Sequence, residues 1–295
     1  MAATTAGLAG VRTRATDQRR APGFLYRFSR NRVAVAGALL IAVLVVLALI
    51  APELTSDPRA QNVRIRSQGP SWEHWFGTDE VGRDVFSRTV NGGRISLLAG
   101  AIAVAVGLLL GAVIGIVAGF FEGRIGLTLM ALIDLLLALP AILLAITIAA
   151  RLGPGLTSAM LAAGFVGLPS YARLARGSTL SVKRREFVEA ARALGASNRS
   201  IMQRHVLPNI VTPLIVQATV GIGSAILLVS ALGFLGMGAQ QPEPEWGRML
   251  ADAQRYILTE PYLGIFPGLA IAITVFGFNL VGDGLRDAVD PVARR

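Results

Sequence analysis

The 295-residue chain contains no cysteine and only one lysine, Lys183. Without cysteine there is no disulfide, no thiolate metal site and no cysteine nucleophile, and the redox state of the compartment leaves no trace. Arg184 follows the lone lysine, where a phosphate-cradling nucleotide loop needs Ser or Thr. The chain is therefore no P-loop ATPase. His74 and His205 are the only histidines and lie far apart, which argues against a histidine metal site. Neither falls in an apolar run, so an intramembrane serine protease would lack its base, and the two-histidine metalloprotease spacing is absent. Gly77 to Asp84 lacks the alternating ligands and terminal Glu of a calcium loop.

What is present is apolar. Hydrophobic residues make up 53% of the chain, mean hydropathy is +0.59 and only 16% of residues are charged. The net charge of +10 comes from arginines set between apolar runs and not from one basic patch, so nucleic acid is not an expected partner. Apolar runs lie at Val33 to Ala51, Ile95 to Phe120, Gly126 to Ala150, Leu156 to Leu174, Pro213 to Leu235 and Leu263 to Leu285. The first, about 19 residues at ~1.5 Å each, matches the ~30 Å hydrocarbon core. Pro52 closes it. The expected fold is an all-α integral membrane protein with six transmembrane helices.

The even number of spans puts both termini on one side. Arginines in the tail before Val33, in Arg173 to Arg204 and at Arg294 and Arg295 place that side in the cytoplasm. Long basic sequence without a cleavage site makes the first run an uncleaved anchor. The division expected is a flexible basic tail over 1–32, a first span over 33–51 and an external loop over 52–94 with a short amphipathic helix near Val85 and Phe86. A five-helix core over 95–285 and a cytoplasmic tail over 286–295 follow. Thr212 and Pro213 read as the cap and first residue of the fifth span.

Within the second run, Gly107, Gly111, Gly115 and Gly119 share one helical face, preceded at the same spacing by Ala99 and Ala103. Static bundle packing is the first reading, and a sliding surface for a gating motion is the second. Asp134 and Arg173 should reach similar depth and form a structural ion pair, with a proton relay the lesser reading. Trp72, Trp75 and Trp246 lie near span ends, where interfacial anchoring is expected before ligand stacking.

Residues 178–211 are too polar to cross a membrane. Phe187, Ala190, Ala191 and Leu194 make an apolar stripe flanked by Glu186, Glu189 and Arg192, and Gly195 stops that helix. Ser200 and Gln203 have capping-box spacing for a second short helix, which should end near Leu207 because Pro208 cannot continue it. An amphipathic helix lying on lipid is the bland alternative, but two alanines anchor poorly.

Glu189-Ala190-Ala191, Gly195 and Leu207-Pro208 resemble the EAA motif of permease subunits from binding-protein-dependent ABC importers, although His205 stands where that motif has an aliphatic residue. His74 to Glu80 with Gly82-Arg83-Asp84, Pro242 to Leu250 around Trp246-Gly247-Arg248, and Asn279 to Pro291 around Gly282-Asp283-Gly284-Leu285-Arg286-Asp287 resemble the second (C-type) permease of dipeptide, oligopeptide and nickel importers. The resemblance implies a type I permease core with an accessory first helix, in the bacterial inner membrane as a multi-pass protein. It implies that Glu186, Phe187, Glu189, Ala190, Ala191, Leu194, Gly195, Leu207 and Pro208 couple to an ATPase, and that Trp246, Gly247 and Arg248 face an external binding protein. Expected partners are a homologous permease, two ATPase subunits holding ATP and Mg, a substrate-binding protein and the lipid bilayer. No cofactor, metal or catalytic residue is expected in this chain. Di- and oligopeptides are the favoured cargo, with nickel chelates, haem and glutathione open. A secondary transporter, broken at Pro140, is the rival class, but the 178–211 segment has no purpose in it.

Overall fold

The computed structural model describes residues 24–289; of the expected tails, 1–23 and 290–295 lie outside it. Among the described residues every regular element is a helix, apart from an isolated Thr78–Asp84 bridge, and the connections over 55–84 and 235–245 are mostly irregular. The helices are α1 (Phe24–Arg30), α2 (Arg32–Leu54), α3 (Val85–Phe121), α4 (Gly123–Leu137), α5 (Ala141–Leu152), α6 (Leu156–Lys183), α7 (Glu186–Ala193), α8 (Asn198–Ile201), α9 (Leu207–Phe234), α10 (Trp246–Ala253) and α11 (Tyr262–Val289).

Four segments are long and apolar enough to cross a membrane: α2, α3, Asn198–Phe234 and α11. The α4–α5 pair is a fifth apolar segment bent by 94°. Pro140 sits at that break as the residue before α5, where it lacks the N–H a continuous helix needs. The 28-residue α6 is long enough to span but carries Arg173, Arg176 and Lys183. It packs against α3, α9, α5 and α4, with Arg173 paired to Asp134 and Lys183 to Glu122.

Several helix ends differ from the sequence expectation. The second long helix begins at Val85 and not Ile95, because Asp84 accepts the Ser87 N–H at 2.7 Å as an N-cap. The amphipathic stretch at Val85 and Phe86 is therefore the first turn of α3, about 55 Å long at ~1.5 Å per residue. The fourth run continues to Lys183, so 178–183 belongs to α6 and not to the connecting segment. Pro52 does not close α2, which reaches Leu54; Thr55 finishes it by donating its N–H and hydroxyl to the Ala51 carbonyl. Nor does Pro208 stop the chain, and Pro213 is not a start. Asn198–Phe234 is continuous, because a π turn over Met202–Val206 shifts the ladder so that the Leu207 N–H bonds back to Met202 O. That one-residue slip absorbs Pro208, and Pro213 sits inside α9.

The four-spaced glycines of α3 lie against α6. A Cβ at Gly107, Gly111 or Gly119 would come within 2.7, 2.6 and 2.9 Å of the carbonyl oxygens of Gly164, Leu168 and Arg176. These helices touch backbone to backbone. The α2 helix is held from one side only: Gly37 and Ala34 fit against Leu280 and Gly284 of α11, while most of its other apolar side chains are exposed. The bundle thus has a central α3–α6–α9 body with α2 attached at its edge by α11 and α3.

Candidate functional site

At the far end of α3, a platform forms from Phe120, Ala175, Val182, Ile201, Val206, Ile210 and Leu214. One side chain of α7, Val188, is inserted into it and is fully buried. The Phe187–Leu194 stripe points elsewhere: Phe187, Glu186, Glu189, Ala190 and Leu194 are exposed, Leu194 by 88%, and Ala191 is partly buried. The helix is anchored by Val188, which the sequence stripe does not include.

Gly195 closes α7 with φ +86°. Its N–H donates to Arg192 O and the Ala196 N–H to Ala191 O, the paired bonds of a Schellman turn that only glycine enters without strain. The following helix is capped by Ser197, whose hydroxyl accepts the Ser200 N–H, and not by Ser200 as the spacing implied. His205 lies with its ring 6.2 Å from Phe187, and its carbonyl accepts from Asn209. Leu207 and Pro208 are exposed at the root of α9.

The lone lysine fastens this end. Lys183 Nζ donates to Phe120 O at 2.5 Å and to the Glu122 carboxylate at 3.0 Å, tying the end of α6 to the α3–α4 turn. That hydrogen bond and charge hold the Glu122 carboxyl below its ordinary value. Farther along α4 and α6, Arg173 meets Asp134 at 2.6 Å, with both side chains more than half exposed.

At the opposite end of α3 the construction is different. Arg83 Nε donates to Asp79 at 2.5 Å, Arg88 Nε lies 3.7 Å from the same carboxylate, and both arginines are 2% exposed. Glu245 is fully buried as the N-cap of α10, accepting the N–H groups of Gly247 and Arg248 at 2.8 Å and the hydroxyls of Ser96 and Ser230 at 3.4 Å. Burial pushes its carboxyl up, and these four donors oppose the shift. Trp246 is 3% exposed and donates its indole N–H to Thr89 O, while a Cβ on Gly247 would strike the Ser230 backbone. This corrects the expected outward contact: Trp246 and Gly247 are buried, because α10 folds in against α9 and α11. Arg248, bonded to Asp252 at 2.9 Å, keeps a 22% exposed side chain. The exposed aromatics at this end are Trp72 and Trp75, at 96% and 60%.

A family profile described as "Binding-protein-dependent transport system inner membrane component" matches residues 111–295, and one described as "N-terminal TM domain of oligopeptide transport permease C" matches 23–70. The chain belongs to this permease family. It is 47% identical over 90% of its length, and 88% of the relative's, to the dipeptide transport system permease protein DppC of Alkalihalophilus pseudofirmus. A probable D,D-dipeptide transport system permease protein of Escherichia coli is 44% identical over 88% of this chain and 87% of its own. The glutathione transport system permease protein GsiD of Shigella sonnei is 45% identical over 93% of this permease and 92% of its own length. Among solved structures, a chain of the MetNI methionine ABC transporter in an inward facing conformation has TM-score 0.56 at 19% identity, covering 66% of this permease and 94% of that chain. That last likeness is one of fold.

Proposed function

We propose that this permease imports di- and oligopeptides across the bacterial inner membrane, driven by ATP that two partner subunits bind with Mg and hydrolyse. A homologous permease completes the path, and an external binding protein delivers the cargo. The observation that carries the coupling is the exposed Phe187–Leu194 stripe, mounted on Val188 and ended by a Schellman turn at Gly195. A short helix whose apolar side chains face away from its own protein is shaped for another protein's groove. Exposed Glu189 offers a carboxylate for a basic residue there, and Ala190 lets backbones approach.

In this reading α2, α3, the bent α4–α5 pair, α6, α9 and α11 are six spans, with both termini cytoplasmic and α7–α8 on the cytoplasmic face. Arginines at 173–204 support that side. ATP-driven closure of the ATPases draws the α7 helices together, and the platform beneath Val188 passes the motion to α3, α6 and α9 as a rocking of the bundle. The peptide assignment is supported by the dipeptide and glutathione permeases to which the chain is similar.

Purified complex in proteoliposomes tests the reading. With the binding protein and internal ATP, a radiolabelled dipeptide should accumulate, and Glu189→Lys or Gly195→Asp should leave ATP hydrolysis running without accumulation. Full uptake by well-inserted variants would remove α7 from the coupling path, and no ATP-dependent dipeptide uptake by the unaltered complex would refute the peptide assignment.

A further inference from the structure

Between α6 and α9, floored by Ala103 and Val104 of α3, lies a groove enclosing a cavity of about 150 Å³. Its polar lining is uncharged: Ser170 and Tyr171 from α6, and Gln217 and Ser224 from α9. Among the described residues, none of these four side chains forms a hydrogen bond, although Tyr171 is 4% exposed and its hydroxyl reaches the edge of Gly221. Elsewhere in α5, α9 and α11 the hydroxyls of Thr147, Thr219 and buried Thr274 are satisfied by carbonyls of their own helix, while the buried Thr179 hydroxyl of α6 shares the unpartnered state of the groove. Four unspent polar groups in one groove at bilayer depth are costly unless something polar passes them.

The groove continues. Gln217 and Val220 also line a second cavity of about 370 Å³, whose other walls include Asp283 and Arg286 of α11. Gln217, Val220, Gly221, Ser224 and Leu228 recur at three- and four-residue intervals, so one face of α9 runs through both.

We propose that this α6–α9 groove is the chain's wall of the translocation path for a peptide-like zwitterion. Tyr171, Gln217, Ser170 and Ser224 hydrogen-bond backbone amides, and Asp283 and Arg286 receive the ammonium and carboxylate at the mouth. The inference rests on the importer reading above and adds its substrate contacts. Every peptide carries amide donors and acceptors whatever its side chains, so uncharged rungs pass sequences alike. With no charged side chain lining the 150 Å³ section, neither terminus is trapped midway.

The absence of native cysteine makes the test direct. Ser170→Cys and Ser224→Cys in the assembled complex should react with a membrane-impermeant, charged methanethiosulfonate, read as a mass shift on this chain. Reaction should slow when a dipeptide, binding protein and ATP are cycling. Ile215→Cys and Leu227→Cys, from the exposed apolar faces of α9, are the comparison and should stay unmodified. Gln217→Leu should lower dipeptide uptake per ATP hydrolysed by about tenfold, the value of one polar contact. Groove cysteines no more reactive than the comparison pair, in a complex whose unaltered form imports dipeptide, would overturn the groove alone. Failure of the unaltered complex to import would instead overturn the reading beneath it.

Discussion

The two ends of α3 are held by opposite means. At the Val85 end, Asp79, Arg83 and Arg88 interlock out of solvent, and Glu245 pins α10 to both α3 and α9 through Ser96 and Ser230. At the Phe121 end, α7 rests on one buried valine and a glycine turn, with its remaining apolar side chains exposed or half-buried. Buried charge networks resist partial opening, since a half-broken network leaves an ion without a partner. A helix seated by one aliphatic side chain can tilt and return. The comparison assigns rigidity to the end carrying α10 and compliance to the end carrying α7.

The largest effect should follow from breaking the rigid end. Asp79→Ala leaves buried Arg83 with Glu80 alone at 3.3 Å and buried Arg88 with only the Pro58 and Pro242 carbonyls, and should cost ~3 kcal/mol. It would appear as a loss of folded protein or a large fall in Tm in detergent. A near-normal Tm would mean that water reaches Arg83 and Arg88, and that this end is not the stiff one.

Next in size is the α10 pin. Glu245→Ala abandons two backbone N–H groups and should cost about 1–3 kcal/mol. The charge state can be read separately. Because the folded carboxyl lies above its ordinary value of 4.5, the folded protein binds the proton more tightly than the unfolded chain. Stability therefore falls as pH rises from 4.5 through the folded value. Glu245→Gln, with no proton to lose, should lack that slope. Equal slopes would show that the four donors outweigh burial.

How much of this was legible in sequence depends on the range of the forces involved. Apolar runs located the long helices because hydrophobicity is a local property. Their ends were missed where one residue overruled it: Asp84 started α3 early, and the π turn carried the chain past Pro208. Around α7 the stripe and the stop at Gly195 were visible, but Val188 was not, since a single inward residue on a short helix makes no periodicity. Trp246 near a span end reads as an interfacial anchor; only tertiary contacts bring it beneath Gly92 and Gly93. The Asp134–Arg173 approach followed from depth along two adjacent helices, a distance that sequence spacing does encode.

A smaller effect sharpens the compliant end. Val188→Ala removes about two methylene-sized groups at ~0.8 kcal/mol each. The loss should stay local, with faster amide exchange in α7 and its turn but little change in global Tm. A global fall would show that α7 is part of the platform and not a guest on it.

The smallest effect on stability should come from Leu194, and it is the most discriminating. With 88% of its surface exposed, Leu194→Ser should change Tm by less than the equivalent of ~0.5 kcal/mol, as for ordinary surface positions. If the stripe is a docking face, the same substitution should still lower the affinity of the ATPase subunits in detergent pull-downs and reduce uptake per ATP. An apolar side chain left in water gains its free energy only when a partner covers it, so its cost is paid in assembly and not in folding. A variant unchanged in stability, ATPase affinity and uptake would leave the compliant end without a partner for its most exposed leucine.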